Sequence, residues 1–170
     1  MEKILKLLNQ GISKHNAMLI AEYVSTDAKS YAKLLDIVFD NIEPTSRIAA
    51  YVIDNANDID NKLITNNIEG VVDFVLTKPN YSIMRSLLKL ISMNRIPKNK
   101  QGEMLMLCTD YLYSEKVPVA VKVHCLQIFY NISEEEPDLK PELKQIIEDT
   151  IENNSAGYKS RAKRISKLMV

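Results

Sequence analysis

Residues 122–128 read KVHCLQI: a base, two free positions, a small or apolar residue, two more free positions, and isoleucine. The same order occurs at 47–53 (RIAAYVI), 85–91 (RSLLKLI) and 159–165 (KSRAKRI). The bases Arg47, Arg85, Lys122 and Lys159 are 38, 37 and 37 residues apart, and Lys14 heads a fifth copy, KHNAMLI, 33 residues before Arg47. The fourth positions are Ala17, Ala50, Leu88, Cys125 and Ala162; the seventh are Ile20, Ile53, Ile91, Ile128 and Ile165. A second frame has the same period. Leu34, Val71 and Cys108 lie 37 apart, as do Val38, Val75 and Leu112, and Ile147 takes that role in the last copy after a slip of about two residues.

The apolar spacing within each copy is helical. SYAKLLDIVFDNI puts Leu34, Leu35, Val38 and Phe39 on one side, and ELKQIIEDTI does the same with Leu143, Ile146, Ile147 and Ile151. No run of period-two alternation suggests a sheet. Breaks fall at Gly11, Ser25–Asp27, Glu43-Pro44, Asp58–Asn61, Lys78-Pro79, Ile96-Pro97, Val117-Pro118, Glu136-Pro137 and Asn153–Gly157. They cut the chain into about ten helical segments. Two helices per unit at a period of 37 predict an all-α fold, an α-solenoid of about five antiparallel helix pairs. The expected units are 1–25, 26–60, 61–96, 97–136 and 137–170, in a single repeat domain over 1–170. One hairpin cannot cover its own apolar face, so the array is the folding unit.

The second helix of each unit resembles the HEAT-repeat pattern. There a basic residue near the helix start is followed by a small residue and then aliphatics. VPVAVKVHCLQI is the nearest copy, with Pro118 before the helix and Val121-Lys122 in the Val-Arg place; PTSRIAAYVI is similar. The Asp usual in the turn between the helices is missing from most units. The whole chain resembles small bacterial HEAT-like proteins through IAEYVSTDAKSYAKLL, SRIAAYVIDNA and the tail from EPDLKPELKQIIED to NNSAGYKSRAKRISKL. That group carries no assigned reaction. The resemblance implies a scaffold for proteins, and some HEAT proteins bind nucleic acid.

Bulk composition agrees with a globular helical chain. Of 170 residues 46 % are hydrophobic, and only 4 are Gly and 6 Pro, which leaves few turns for a many-stranded fold. Lys+Arg and Asp+Glu are both 22, so the net basic excess of many nucleic-acid binders is absent. The N-terminus lacks the apolar region and cleavage site of a signal peptide. No stretch approaches the roughly 18 apolar residues of a bilayer span. The two cysteines, Cys108 and Cys125, form no C-x-x-C pair and fit a reducing compartment. A cytoplasmic protein with no membrane contact is expected.

The adjacent His124 and Cys125 could be taken for a metal or nucleophile site. Neighbours on a helix point about 100° apart, and zinc would need further ligands, while His15 is the only other histidine. Cys125 and Cys108 instead occupy repeat positions held elsewhere by Ala, Leu and Val, and read as core. There is no Gly-rich phosphate loop, H-E-x-x-H or G-x-S-x-G. A fumarase-type lyase would need a longer chain and a Gly-Ser-Ser-x-Met-Pro loop. The sequence therefore points to no catalytic residue, cofactor or metal.

Two basic sets are the candidate sites. The first is the ladder Lys14, Arg47, Arg85, Lys122 and Lys159. A cation near a helix N-terminus opposes the macrodipole, so each rung calls for a partner, either acids and carbonyls of a neighbouring repeat or an anionic ligand. The second is a C-terminal patch of Arg161, Lys163, Arg164 and Lys167, which suits a solvated last helix or an anionic partner. SEEEPD at 133–138 reads as a helix end feeding acids to the next helix. The leading expectation is a non-enzymatic module binding a protein or peptide on the concave, second-helix face. The alternative is a nucleic-acid binder related to DNA alkylation-repair glycosylases. That chemistry wants a carboxylate beside base-stacking aromatics, and the chain has no Trp.

Overall fold

The computed structural model describes residues 2–9 and 13–169. Among them every regular element is helical: α1 (Glu2–Asn9), α2 (Lys14–Ser25), α3 (Ala28–Phe39), α4 (Thr45–Ile59), α5 (Lys62–Thr65), α6 (Ile68–Leu76), α7 (Tyr81–Ser92), α8 (Gln101–Tyr113), α9 (Val119–Glu135), α10 (Lys140–Thr150) and α11 (Ala156–Leu168). Short 3-10 turns at Lys98–Lys100 and Pro137–Leu139 lead into α8 and α10. The predicted break at Gly11 lies outside the described residues; the other predicted breaks coincide with helix ends to within a few residues.

Local chemistry sets these ends. Ser13 accepts from the backbone N–H of Asn16, Asp27 from those of Lys29 and Ser30, and Asn80 Oδ1 from those of Ser82 and Ile83, capping α2, α3 and α7. Pro118 immediately precedes α9, where a missing N–H costs nothing. The expected first helix of the third unit is split into α5 and α6. Asn67 Nδ2 donates back to the Leu63 carbonyl at 2.7 Å, and the Thr65 hydroxyl to the Asn61 carbonyl at 3.1 Å. These side chains offer the backbone local partners in place of a continuous helix.

The chain forms two compact units, Met1–Leu90 and Ile91–Val170. In the first, α2 and α3 both pack on α4. Its core holds Ala21, Val24, Leu34, Leu35, Val38, Ala49, Val52 and Ala56, and Phe39 meets Phe74 with ring centroids 5.0 Å apart. In the second, α9 is the central helix, touched by α8, α10 and α11. Met104, Leu112, Leu126, Phe129, Leu143 and Tyr158 are buried there.

The repeat frame accounts for both cores. All ten fourth- and seventh-position residues, from Ala17 and Ile20 to Ala162 and Ile165, are at most 3 % exposed. Leu34, Val71, Cys108, Val38, Val75, Leu112 and Ile147 of the other frame are buried too. At roughly 1.5–3 kcal/mol per buried aliphatic side chain, these positions supply a large share of the driving force for folding. Cys108 and Cys125 are free, fully buried thiols facing each other, and Cys125 together with burial pushes the Cys108 thiol well above its ordinary range.

Candidate functional site

All five ladder cations lie within the first five residues of α2, α4, α7, α9 and α11. Their surroundings differ. Lys14 is exposed. Arg47 is exposed, and its Nε donates to Glu43 Oε2 at 3.3 Å, four residues back. Arg85 is exposed, and its charge favours the ionised form of Asp54. Lys159 is half-buried and pairs with Glu152 at 3.4 Å. Lys122 is only 5 % exposed. Among the five rungs, Arg47 and Lys159 pair with acids close by in sequence, Lys14 and Arg85 are exposed, and Lys122 is covered.

In the first unit, α4 and α7 present one mixed face. Arg47 and Tyr51 lie one turn apart on α4; Tyr81 and Arg85 lie one turn apart on α7, and all four are exposed. The two helices are joined at one end by Glu43 and Asn80, and further along by Lys89, whose Nζ is 2.7 Å from Asp54 and 3.6 Å from Asp58. Burial raises the Asp54 carboxyl above the usual range despite the pull of Lys89. Burial also opposes the charge on Lys89, but the hydrogen bond and field of Asp54, with Asp58 adding to them, hold its ammonium up. Both groups are pushed up, Asp54 because burial outweighs the pull of Lys89 and Lys89 because the two carboxylates outweigh its burial; the Asp54 side chain is the more deeply covered, 18 % exposed against 33 %.

In the second unit, Lys122 lines a cleft of about 420 Å³. The cleft is lined by the end of α8 and the segment after it, the first turn of α9, the last turn of α10 and the loop leading into α11. No acid lies within ion-pair distance of Lys122 among the described residues. Burial pushes its ammonium below the usual lysine range, and the field of Glu115 partly restores it. Asp149, also on the cleft, is engaged through both oxygens: Tyr113 Oη donates to Oδ2 and Gln145 Nε2 to Oδ1, each at 2.8 Å. Thr150 Oγ1, beside it, is 2.7 Å from the Ile146 carbonyl and 2.7 Å from Tyr158 Oη, which ties the end of α10 to α11.

The C-terminal patch is not uniform. Arg161 is half-buried, and its Nη1 donates to Gln127 Oε1 of α9 at 2.6 Å; Lys163, Arg164 and Lys167 are exposed. His124 is half-buried beside buried Cys125. No group of three His, Cys, Asp or Glu is placed to hold a metal among the described residues. No described helix is long and apolar enough to cross a membrane. SEEEPD has a specific task. Glu135 takes both Nε and Nη2 of Arg95 at 3.2 Å and Gln101 Nε2 at 3.2 Å, and Glu136 pairs with Lys98.

The cleft was not anticipated from the sequence. Its one signal was α11 opening SAGYKS, a helix start with a serine at the cap and no acid in the first turn.

The family model for the HEAT repeat domain matches residues 4–169. The chain belongs to that family. Its all-α solenoid class follows from the family together with the helices above. No curated protein and no solved structure gives a match. A HEAT domain is a repeat scaffold, and HEAT repeats commonly mediate protein interactions.

Proposed function

We propose that this HEAT protein is a non-enzymatic scaffold that binds a protein or peptide segment on the face of its second helices. One observation carries the reading: Arg47, Tyr51, Tyr81 and Arg85 are exposed on α4 and α7, helices whose opposite stripe is fully buried. Tyr and Arg are the residue types that dominate binding energy at protein interfaces, because they combine large contact area with directional polar groups. Glu43, Asp54 and Asp58 share that face with the cations. A surface of both signs complements a polypeptide, whereas a nucleic-acid backbone favours a row of cations without acids between them.

The test compares capture from cell extract by the wild type and by the Arg47→Glu/Arg85→Glu variant, with circular dichroism confirming that both are folded. The reading expects a reproducible set of proteins held by the wild type and lost by the variant. An identical set on both proteins, or retained nucleic acid at physiological salt in place of protein, sinks it.

A further inference from the structure

We propose that the Lys122 cleft of the second unit binds the phosphate group of a small phosphorylated molecule. Three features of this cleft converge on an oxyanion. The first is Lys122 itself, which is 5 % exposed, lines the cleft, and has no hydrogen-bond or ion-pair partner among the described residues. Its side chain is nearly covered, and only the field of Glu115 offsets what that burial costs the charge, so an anion in the cleft would stabilise it. The other rungs differ: Arg47 and Lys159 have acids within 3.4 Å, and Lys14 and Arg85 are open to water.

The second feature is the start of α11. Ser155 is its cap residue and lines the cleft, yet its hydroxyl makes no capping hydrogen bond. The backbone N–H groups of Ala156, Gly157 and Tyr158 have no acceptor within the helix, since the first intrahelical bond runs from Lys159 N–H to the Ser155 carbonyl. The first turn carries no acid, so the positive end of the helix dipole is left uncompensated there. The third is the pair Asn153 and Asn154, which also line the cleft and add amide donors; Asn154 Nδ2 is partly committed to the Thr150 carbonyl at 2.7 Å.

The acids on the cleft set the limits of the site. Asp149 is already satisfied by Tyr113 and Gln145. Glu115 is exposed and acts on Lys122 only through its field. At about 420 Å³ the cleft exceeds the needs of a free phosphate, and leaves room for the remainder of a small molecule against Leu112 and Val119. This site uses α9, α10 and α11, whereas the proposed protein-binding face uses α4 and α7, so the two stand or fall separately.

The experiment is an NMR titration of the full ¹⁵N-labelled chain with inorganic phosphate, balanced with chloride to fixed ionic strength so that general screening is constant. The expected result is saturable shifts at the amides of Ala156, Gly157 and Tyr158. Lys122→Met fills the same space without the charge and is expected to bind about tenfold more weakly. Lys122→Arg keeps the charge and is expected to stay close to wild type. Ser155→Asp puts a carboxylate where the phosphate would sit, caps α11 and abolishes the response while raising Tm. Absence of saturable shifts in the wild type, or equal affinity in folded Lys122→Met, overturns the proposal. The same holds for undiminished binding in Ser155→Asp.

Discussion

Glu43 Oε1 accepts a hydrogen bond from Asn80 Nδ2 at 2.6 Å, across 37 residues, one full period of the repeat. Other polar contacts show nearly the same separation. Ser92 and Asn131 are 39 apart, Arg95 and Glu135 are 40, Tyr113 and Asp149 are 36, and Gln127 and Arg161 are 34. Within each compact unit, polar contacts thus link one repeat to the next. None of the five ladder cations takes part in these contacts.

Asn80 carries two jobs, capping α7 with Oδ1 and bridging to Glu43 with Nδ2. Asn80→Ala loses both and is expected to cost about 1–2 kcal/mol. Asn80→Asp keeps the cap but sets a carboxylate against Glu43. Its deficit is expected to shrink when Glu43→Gln is added. A double-mutant cycle from urea unfolding reads the coupling, and additive deficits would falsify the bridge.

The Arg95–Glu135 fork makes stability depend on pH. The hydrogen bond from Arg95 comes first, then that from Gln101, and they hold the Glu135 carboxyl below its usual range. A carboxyl whose folded pKa is lowered contributes stability that is complete above the ordinary glutamate value, about 4.3, and is lost as pH falls through the folded value. The gap in Tm between wild type and Glu135→Gln is therefore expected to be constant near neutrality and to close in acid below that value. A gap independent of pH removes Glu135 from this role.

Legibility tracks how local the cause is. The frame positions Ala50, Ile53, Cys125 and Ile128 are core because their spacing puts them on one helical stripe, and spacing is written in the chain. Helix ends at Pro44, Pro118 and Pro137 are equally local. The fate of Lys122 is not. It holds the same frame position as exposed Arg47 and Arg85, but lies in a cleft whose other walls include Glu115 and Asn153–Ser155, the latter about 30 residues on in the chain. Arg161 likewise reads as one cation in a basic tail, until α11 packs on α9 and brings Gln127 to it. The split of α5 from α6 was in principle visible in Asn66-Asn67, residues that draw the backbone out of a helix.

Gly102 is the second residue of α8, and a Cβ built there meets no atom within 4 Å. Its conformation needs no glycine. Gly102→Ala is expected to stabilise the protein by about 0.5–1 kcal/mol, through the lower entropy of the unfolded chain and the better helix propensity of alanine. A higher denaturant midpoint at unchanged slope is the confirming result; an unchanged or lower midpoint contradicts it.

Two buried tyrosines are expected to respond in opposite ways to loss of the hydroxyl. Tyr158 and Tyr31 are both fully buried. The Tyr158 hydroxyl is 2.7 Å from Thr150 Oγ1, which gives its own proton to the Ile146 carbonyl, so Tyr158 is the donor between them. The Tyr31 hydroxyl has no hydrogen-bond partner, and burial first, then the fields of Asp54 and Asp60, push its phenol upward. A buried polar group without a partner costs about 1–3 kcal/mol, whereas a satisfied one contributes about 0.5–1.5 kcal/mol net. Tyr158→Phe is therefore expected to lower stability by about 1 kcal/mol and to loosen α11 on α10. Tyr31→Phe is expected to leave it unchanged or to raise it by up to about 1 kcal/mol. Both are read from urea unfolding at neutral pH. A loss of more than 1 kcal/mol in Tyr31→Phe would show that its hydroxyl is paired in solution, and would move the strained polar group of the first unit to Asn57, whose side-chain amide is also buried without a partner.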